Sequence, residues 1–163
     1  MSETPNVEYM SDVQQAMLTY WLGKCDQNGK RVPSRGDMKI DEVGIYFPWI
    51  VVFEKLDDPL DFRYRLVGTE ITEATYGDYT GKKLSELEGK GEGSKIWTYV
   101  AGVAKVHEPN IEVMPYVGPL DSFSHTTLLA LPLAANERYG EMIMLVADFV
   151  RWSHIIDKAE EAE

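Results

Sequence analysis

The sequence predicts an α+β fold: a five-stranded antiparallel sheet with a helical crossing on one face and an N-terminal helix covering the other. Three observations predict it. Two strand-like runs, a stretch of helical pattern and three more strand-like runs follow in that order, which suits one antiparallel sheet with helices packed against it. In "WIVVFEKL", "LLALPL" and "MIMLVA" both alternating sets of positions are apolar, so these strands need cover on both sides. An amphipathic helix stands ahead of them to supply the second cover, unless a second subunit does so.

That helix starts at Ser11, whose S-x-x-Q spacing to Gln14 is a capping box. Val13, Met17, Tyr20 and Trp21 then recur at helical spacing as far as about Gly23. Trp21 is in phase with Met17 and Val13, which puts its indole on the buried side. The loop "CDQNGKRVPSRGD" and a short helical turn over 41–46 lead to Pro48. "WIVVFEKL" and "DFRYRLVG" follow, joined by a hairpin turn at "DDP". In the second run Phe62, Tyr64 and Leu66 alternate with Arg63 and Arg65. The aromatic set is expected to face the core, and the arginines to pair with carboxylates of a neighbouring strand on the other side.

"TEITEATYGDYTGKKLSEL" opens as a helix and stops at Gly77 and Gly81, with a positive φ expected at Gly81. "EGKGEGS" reads as a flexible linker. Beyond it Ile96, Val100 and Val103 share a helix face flanked by Trp97, Ala101 and Ala104, and Pro109 closes the helix. The last runs are "NIEVMPYV", "HTTLLALPLAA" and "GEMIMLVADFV", the final two joined by "NERYG". Pro132 cannot donate to a ladder, so it belongs at a bulge or an unpaired end. The expected organisation is a disordered leader over 1–9, one domain over 10–152 and a solvated acidic tail over 153–163.

A chain of 163 residues is long enough for one hydrophobic core. Its net charge of −11 opposes free nucleic acid and anionic membrane surfaces; Arg31, Arg35 and Lys39 read as a solvated loop. The single cysteine, Cys25, excludes an internal disulfide and a cysteine-cage metal site. "MSETPNVEYM" lacks the basic and apolar regions of a signal peptide. No run reaches the roughly 18 apolar residues of a membrane span, and the expected location is cytoplasmic.

In their details, "YWLGK", "VPSRGDMKI", "FRYRLVGTEITEATYGDYTGKKLSEL" and "LLALPL" resemble the single-domain PAS-like proteins of bacteria, especially α-proteobacteria. The resemblance spans most of residues 18–150, and "RYRLVGT" with "YGDYTGKKL" is its most specific part. It implies a PAS-like sheet whose helical crossing walls a small-molecule pocket. It also implies a sensory or regulatory role exerted on separate protein partners, because no kinase, cyclase or DNA-binding segment is attached. No particular ligand is implied.

The sequence holds no G-x-S-x-G, P-loop or H-E-x-x-H. His107, His125 and His154 stand at spacings unsuited to a metal site. The "N-C-R-F" motif of flavin-adduct PAS domains is absent, so no haem, flavin or metal is expected. His107 ends the long helix, where an imidazolium suits the helix dipole better than a haem-ligand role does. The ligand-pocket candidates are Tyr64, Tyr76, Tyr79 and Tyr99, with His125 and Thr127 sharing one strand face opposite Thr126; the competing reading of each is ordinary packing. The expected function is a sensory or regulatory module that binds an unknown small molecule or a protein partner, with a homodimer possible across the covered sheet face. Two rivals stand beside it. One is a pure protein-interaction module with a filled pocket. The other is a small cone-like enzyme with His125 as base and a carboxylate such as Asp148 orienting it.

Overall fold

The structure, a computed structural model, describes residues 10–161, so the expected disordered leader lies outside the described residues. Five strands form one antiparallel sheet: β1 Ile50–Leu56, β2 Asp61–Val67, β3 Asn110–Pro115, β4 Phe123–Leu133 and β5 Met142–Arg151. Their spatial order is β2-β1-β5-β4-β3. The first and last strands are therefore neighbours, in the register Val52↔Met144. The α+β architecture expected from the sequence is the one observed.

The two apolar faces of the sheet feed two separate cores. On the outer face Ile50, Val52, Leu129, Leu131, Met144 and Val146 pack under Met17, Leu18 and Trp21 of α1, Asp12–Gln27. On the inner face Val51, Phe53, Phe62, Tyr64, Leu128 and Leu145 pack against Trp97, Val100, Val103 and Ala104 of α4, Lys95–Val106. The buried stripe of α4 thus runs through Trp97 rather than Ile96. The helix ends at His107, which caps it in the left-handed region at φ 58°, ahead of Pro109.

The N-terminus of α1 does two jobs with one side chain. Ser11 Oγ accepts from the Gln14 N–H at 3.1 Å, and Gln14 Oε1 accepts from the Ser11 N–H at 3.0 Å, completing the expected capping box. Gln14 is fully buried, and its Nε2 donates to the carbonyls of Thr127 at 2.9 Å and Val146 at 2.8 Å. The amide that starts the helix therefore also fastens it to β4 and β5. Trp21 fastens the other end by donating its indole N–H to the Pro132 carbonyl at 2.8 Å. Pro132 is paired with Ile143 of β5 inside the ladder and not at the bulge or unpaired end expected for it, although the β3 ladder on the other side of β4 stops at Ala130. α1 continues beyond the expected stop at Gly23 through Cys25 to Gln27. A glycine inside a helix costs only about 1 kcal/mol, and Asn28 takes over the capping, its side chain donating to the Lys24 carbonyl at 2.8 Å.

β2 departs from simple alternation. The register pairs Val52 with Leu66 but Phe53 with Tyr64, leaving Arg65 as an extra residue. This bulge turns Leu66 to the outer core, away from the face that Phe62 and Tyr64 share, and Val67 to the inner one. Arg65 Nε lies 3.5 Å from Glu54 Oε2, the cross-strand carboxylate expected of it. Gly81 adopts φ 89°, as expected, and its N–H donates to the Tyr64 carbonyl at 2.7 Å. Two short helices, α2 Ile40–Val43 and α3 Thr69–Ala74, flank this half of the sheet. The acidic end is exposed but ordered as a helix, α5 Trp152–Glu161.

Trp21→Ala is expected to lower stability by about 3–5 kcal/mol, because it opens a cavity and strips the Pro132 carbonyl of its donor. Trp152, 54% exposed, is expected to tolerate Ala within about 0.5 kcal/mol. Urea melts of both variants check this; equal midpoints would mean that α1 does not close the outer face.

Candidate functional site

Between the inner sheet face and the helical crossing lies a cavity of about 580 Å³, within the range of roughly 300–1,000 Å³ usual for small-ligand sites. Its origin is legible in the side chains. The outer surface of β4 and β5 carries Leu129, Leu131 and Val146, whereas the inner one carries Thr126 and Ala147 at the cavity. Small residues there leave volume that α4 does not fill. Val51, Phe53, Tyr64, Leu128 and Leu145 floor the space, and Ile71, Thr75, Tyr79, Met114 and Tyr116 wall it. The turn over 88–94 closes one end with Glu88, Gly89, Lys90, Gly93 and Ser94. The segment expected to be a flexible linker is thus a wall of the pocket.

Aromatic rings lead along one wall to a cation. Phe53 and Tyr64 meet at a tilt with centroids 4.5 Å apart, Tyr64 and Tyr79 likewise at 5.6 Å, and Lys90 Nζ sits 5.3 Å from the centre of the Tyr79 ring. Tyr64 is 5% exposed, and its hydroxyl has no hydrogen-bond partner among the described residues. Burial, and then the neighbouring Tyr79, push its pKa well above the ordinary value. Burial lowers the pKa of Lys90, and no carboxylate lies within ion-pair distance of it among the described residues.

The six candidate residues separate cleanly. Tyr64 and Tyr79 line the cavity; Tyr76, Tyr99, His125 and Thr127 do not. Tyr76 is 69% exposed. The Tyr99 hydroxyl donates to the carbonyls of Asn110 at 2.7 Å and Leu128 at 2.9 Å, so it joins α4 to β3 and β4. Burial, and then Glu112, raise its pKa. Alternation along β4 places Thr126 at the cavity and His125 and Thr127 on the outer side, so the strand contributes Thr126 instead of the expected pair. His125 Nδ1 lies 3.0 Å from Ser124 Oγ, and no hydrogen bond joins it to Asp148. The Asp148 carboxyl is raised by burial, an effect the positive field of His154 and His125 partly offsets.

His107 is occupied elsewhere: its Nε2 is 2.8 Å from Glu141 Oε1, while Lys55 Nζ holds Glu141 Oε2 at 3.0 Å. The His107 contact, then Lys55, keep the Glu141 carboxyl below the usual range. Among the described residues no group of three His, Cys, Asp or Glu could hold a metal ion, and no helix is long and apolar enough to cross a membrane. Sequence reasoning missed Lys90, which is hidden in a glycine-rich run, and Thr126, whose only signal is its alternation with Leu128 and Ala130.

Tyr99→Phe is expected to cost about 1 kcal/mol or more, since two carbonyls lose their donor, and Tyr64→Phe to stay within about 0.5 kcal/mol. Both hydroxyls titrate above the ordinary 10.0 in the folded chain. Above that pH the unfolded chain releases these protons first and binds fewer of them, so stability falls as pH rises. Each Phe variant should flatten that alkaline slope in melts taken from pH 9 upward; an unaltered slope in both would contradict the burial of these hydroxyls.

A family model described as PAS domain matches residues 10–145, a span that includes every cavity-lining residue except Ala147 and Phe149. No curated protein matches the chain.

Proposed function

The chain belongs to the PAS domain family, and on that premise we propose that it is a sensory or regulatory module that holds a small molecule in the cavity and reports its presence to a separate protein. The observation that carries this reading is the cavity itself: about 580 Å³, mostly apolar along its floor, with a tyrosine hydroxyl there that has no partner among the described residues and a half-buried lysine in its wall. The proposed site is in the cytoplasm, where the unpaired Cys25 stays a thiol.

The route of output follows from Gln14. It grips the Thr127 carbonyl, between Thr126 and Leu128, and the Val146 carbonyl, between Leu145 and Ala147. All four of those neighbours line the cavity. A ligand that shifts β4 or β5 acts on the two bonds that seat α1, and so on the opposite face of the sheet. For the partner we assign α5, whose Trp152 and Ile156 are 54% and 56% exposed. The enzyme reading draws little support from the geometry, because His125 and Asp148 stand on the outer side and share no hydrogen bond.

Ala147→Phe places a ring in the cavity at an overpacking cost of about 1–3 kcal/mol. The parent chain is expected to take up the neutral dye Nile red with enhanced fluorescence, and the folded variant to lose most of that uptake. Equal dye binding by both would place the binding surface elsewhere and remove the ligand-sensor reading.

A further inference from the structure

The four half-buried lysines among the described residues differ in one respect. Lys24 pairs with Glu42 at 3.1 Å, Lys55 with Glu141 at 3.0 Å and Lys83 with Glu86 at 3.9 Å. Lys90 pairs with no carboxylate among the described residues, although the chain has 27 acidic residues against 16 basic ones. It is the one that stands in the cavity wall. A partly desolvated ammonium without a counter-ion is unfavourable, and the face of Tyr79 at 5.3 Å offsets only a part of that.

We propose, resting on the reading of the cavity as a ligand site, that its ligand is an amphipathic monocarboxylate, with an apolar body along the sheet floor and its carboxylate at Lys90. Val51, Phe53, Leu128 and Leu145 of the floor give a ligand body an apolar surface, with the Tyr64 hydroxyl the polar group among them. The charged side chains of the lining are confined to the turn over 88–94 and the start of α4. The charges there are Lys90 and the exposed Lys95, opposed by the exposed Glu88. One half-buried ammonium, with Glu88 on the same lining but not paired to it, suits a single negative charge. A phosphate carries more charge and calls for several donors or an arginine fork, and no arginine lines the cavity. A neutral ligand would leave Lys90 as it stands, half-buried and unpaired.

The test is displacement of Nile red from the full chain by decanoate and by decanol, which share a tail and differ in headgroup charge. Decanoate is expected to displace the dye at about tenfold lower concentration, the worth of one charge-assisted contact. Lys90→Met should abolish that preference and leave decanol unchanged, while Lys90→Arg should retain it. Equal displacement by the two probes in the parent, or a preference that survives Lys90→Met, overturns the carboxylate assignment and leaves the cavity reading standing. Failure of both probes to displace the dye, or of the dye to bind at all, overturns the cavity reading and the assignment with it.

Discussion

A sheet that is apolar on both faces leaves neither face to water. β1, β4 and β5 impose that constraint, each sending one alternating set of side chains inward and the other outward. The outer face is closed by α1 through close packing and two directional fastenings, Gln14 at the start and Trp21 further along. The inner face is closed by α3, α4 and the turn over 88–94, and it is closed incompletely. Thr126 and Ala147 are too small to meet the helices across the gap. The pocket is what remains when one face of a two-faced sheet is packed to native density and the other is not.

The same constraint makes the two faces interdependent. Successive residues of a strand point to opposite sides, so residues that feel the cavity are covalent neighbours of residues held by α1. Gln14 makes this link specific, because it bonds to backbone rather than to side chains. Its two acceptor carbonyls sit between cavity-lining residues on both β4 and β5. A buried amide with all of its polar atoms engaged is expensive to leave half-satisfied, which favours two discrete seatings of α1 over a gradual drift.

Much of the fold was legible because its signals are local. The succession of elements along the chain, the Ser11–Gln14 box, the turn at Gly81 and the buried phase of Trp21 each depend on a few adjacent residues. What was not legible depends on which elements meet. The bulge at Arg65 moves Leu66 across the sheet, and nothing in the alternation of "FRYRLVG" announces it. The second role of Gln14 needs β4 and β5 already in place. At the site, Tyr64 and Tyr79 could be read from alternation and aromatic content. Choosing between Thr126 and Thr127 required knowing which side of β4 meets the cavity. Tyr99 points at strand carbonyls rather than into the pocket because its hydroxyl finds two acceptors there. Lys90 stayed hidden because glycine-rich composition signals a turn but not what the turn closes.

The central claim is that α1 is an integral cover of the sheet and not an appended helix. Native-state hydrogen exchange measures this directly, since a helix that opens by itself exchanges with a smaller free energy than the strands beneath it. The amides of α1 from Met17 to Trp21 are expected to exchange with the same free energy and denaturant dependence as those of β1 and β5, through global unfolding alone. Exchange of α1 through a separate low-energy opening, with the strands still protected, would contradict the account.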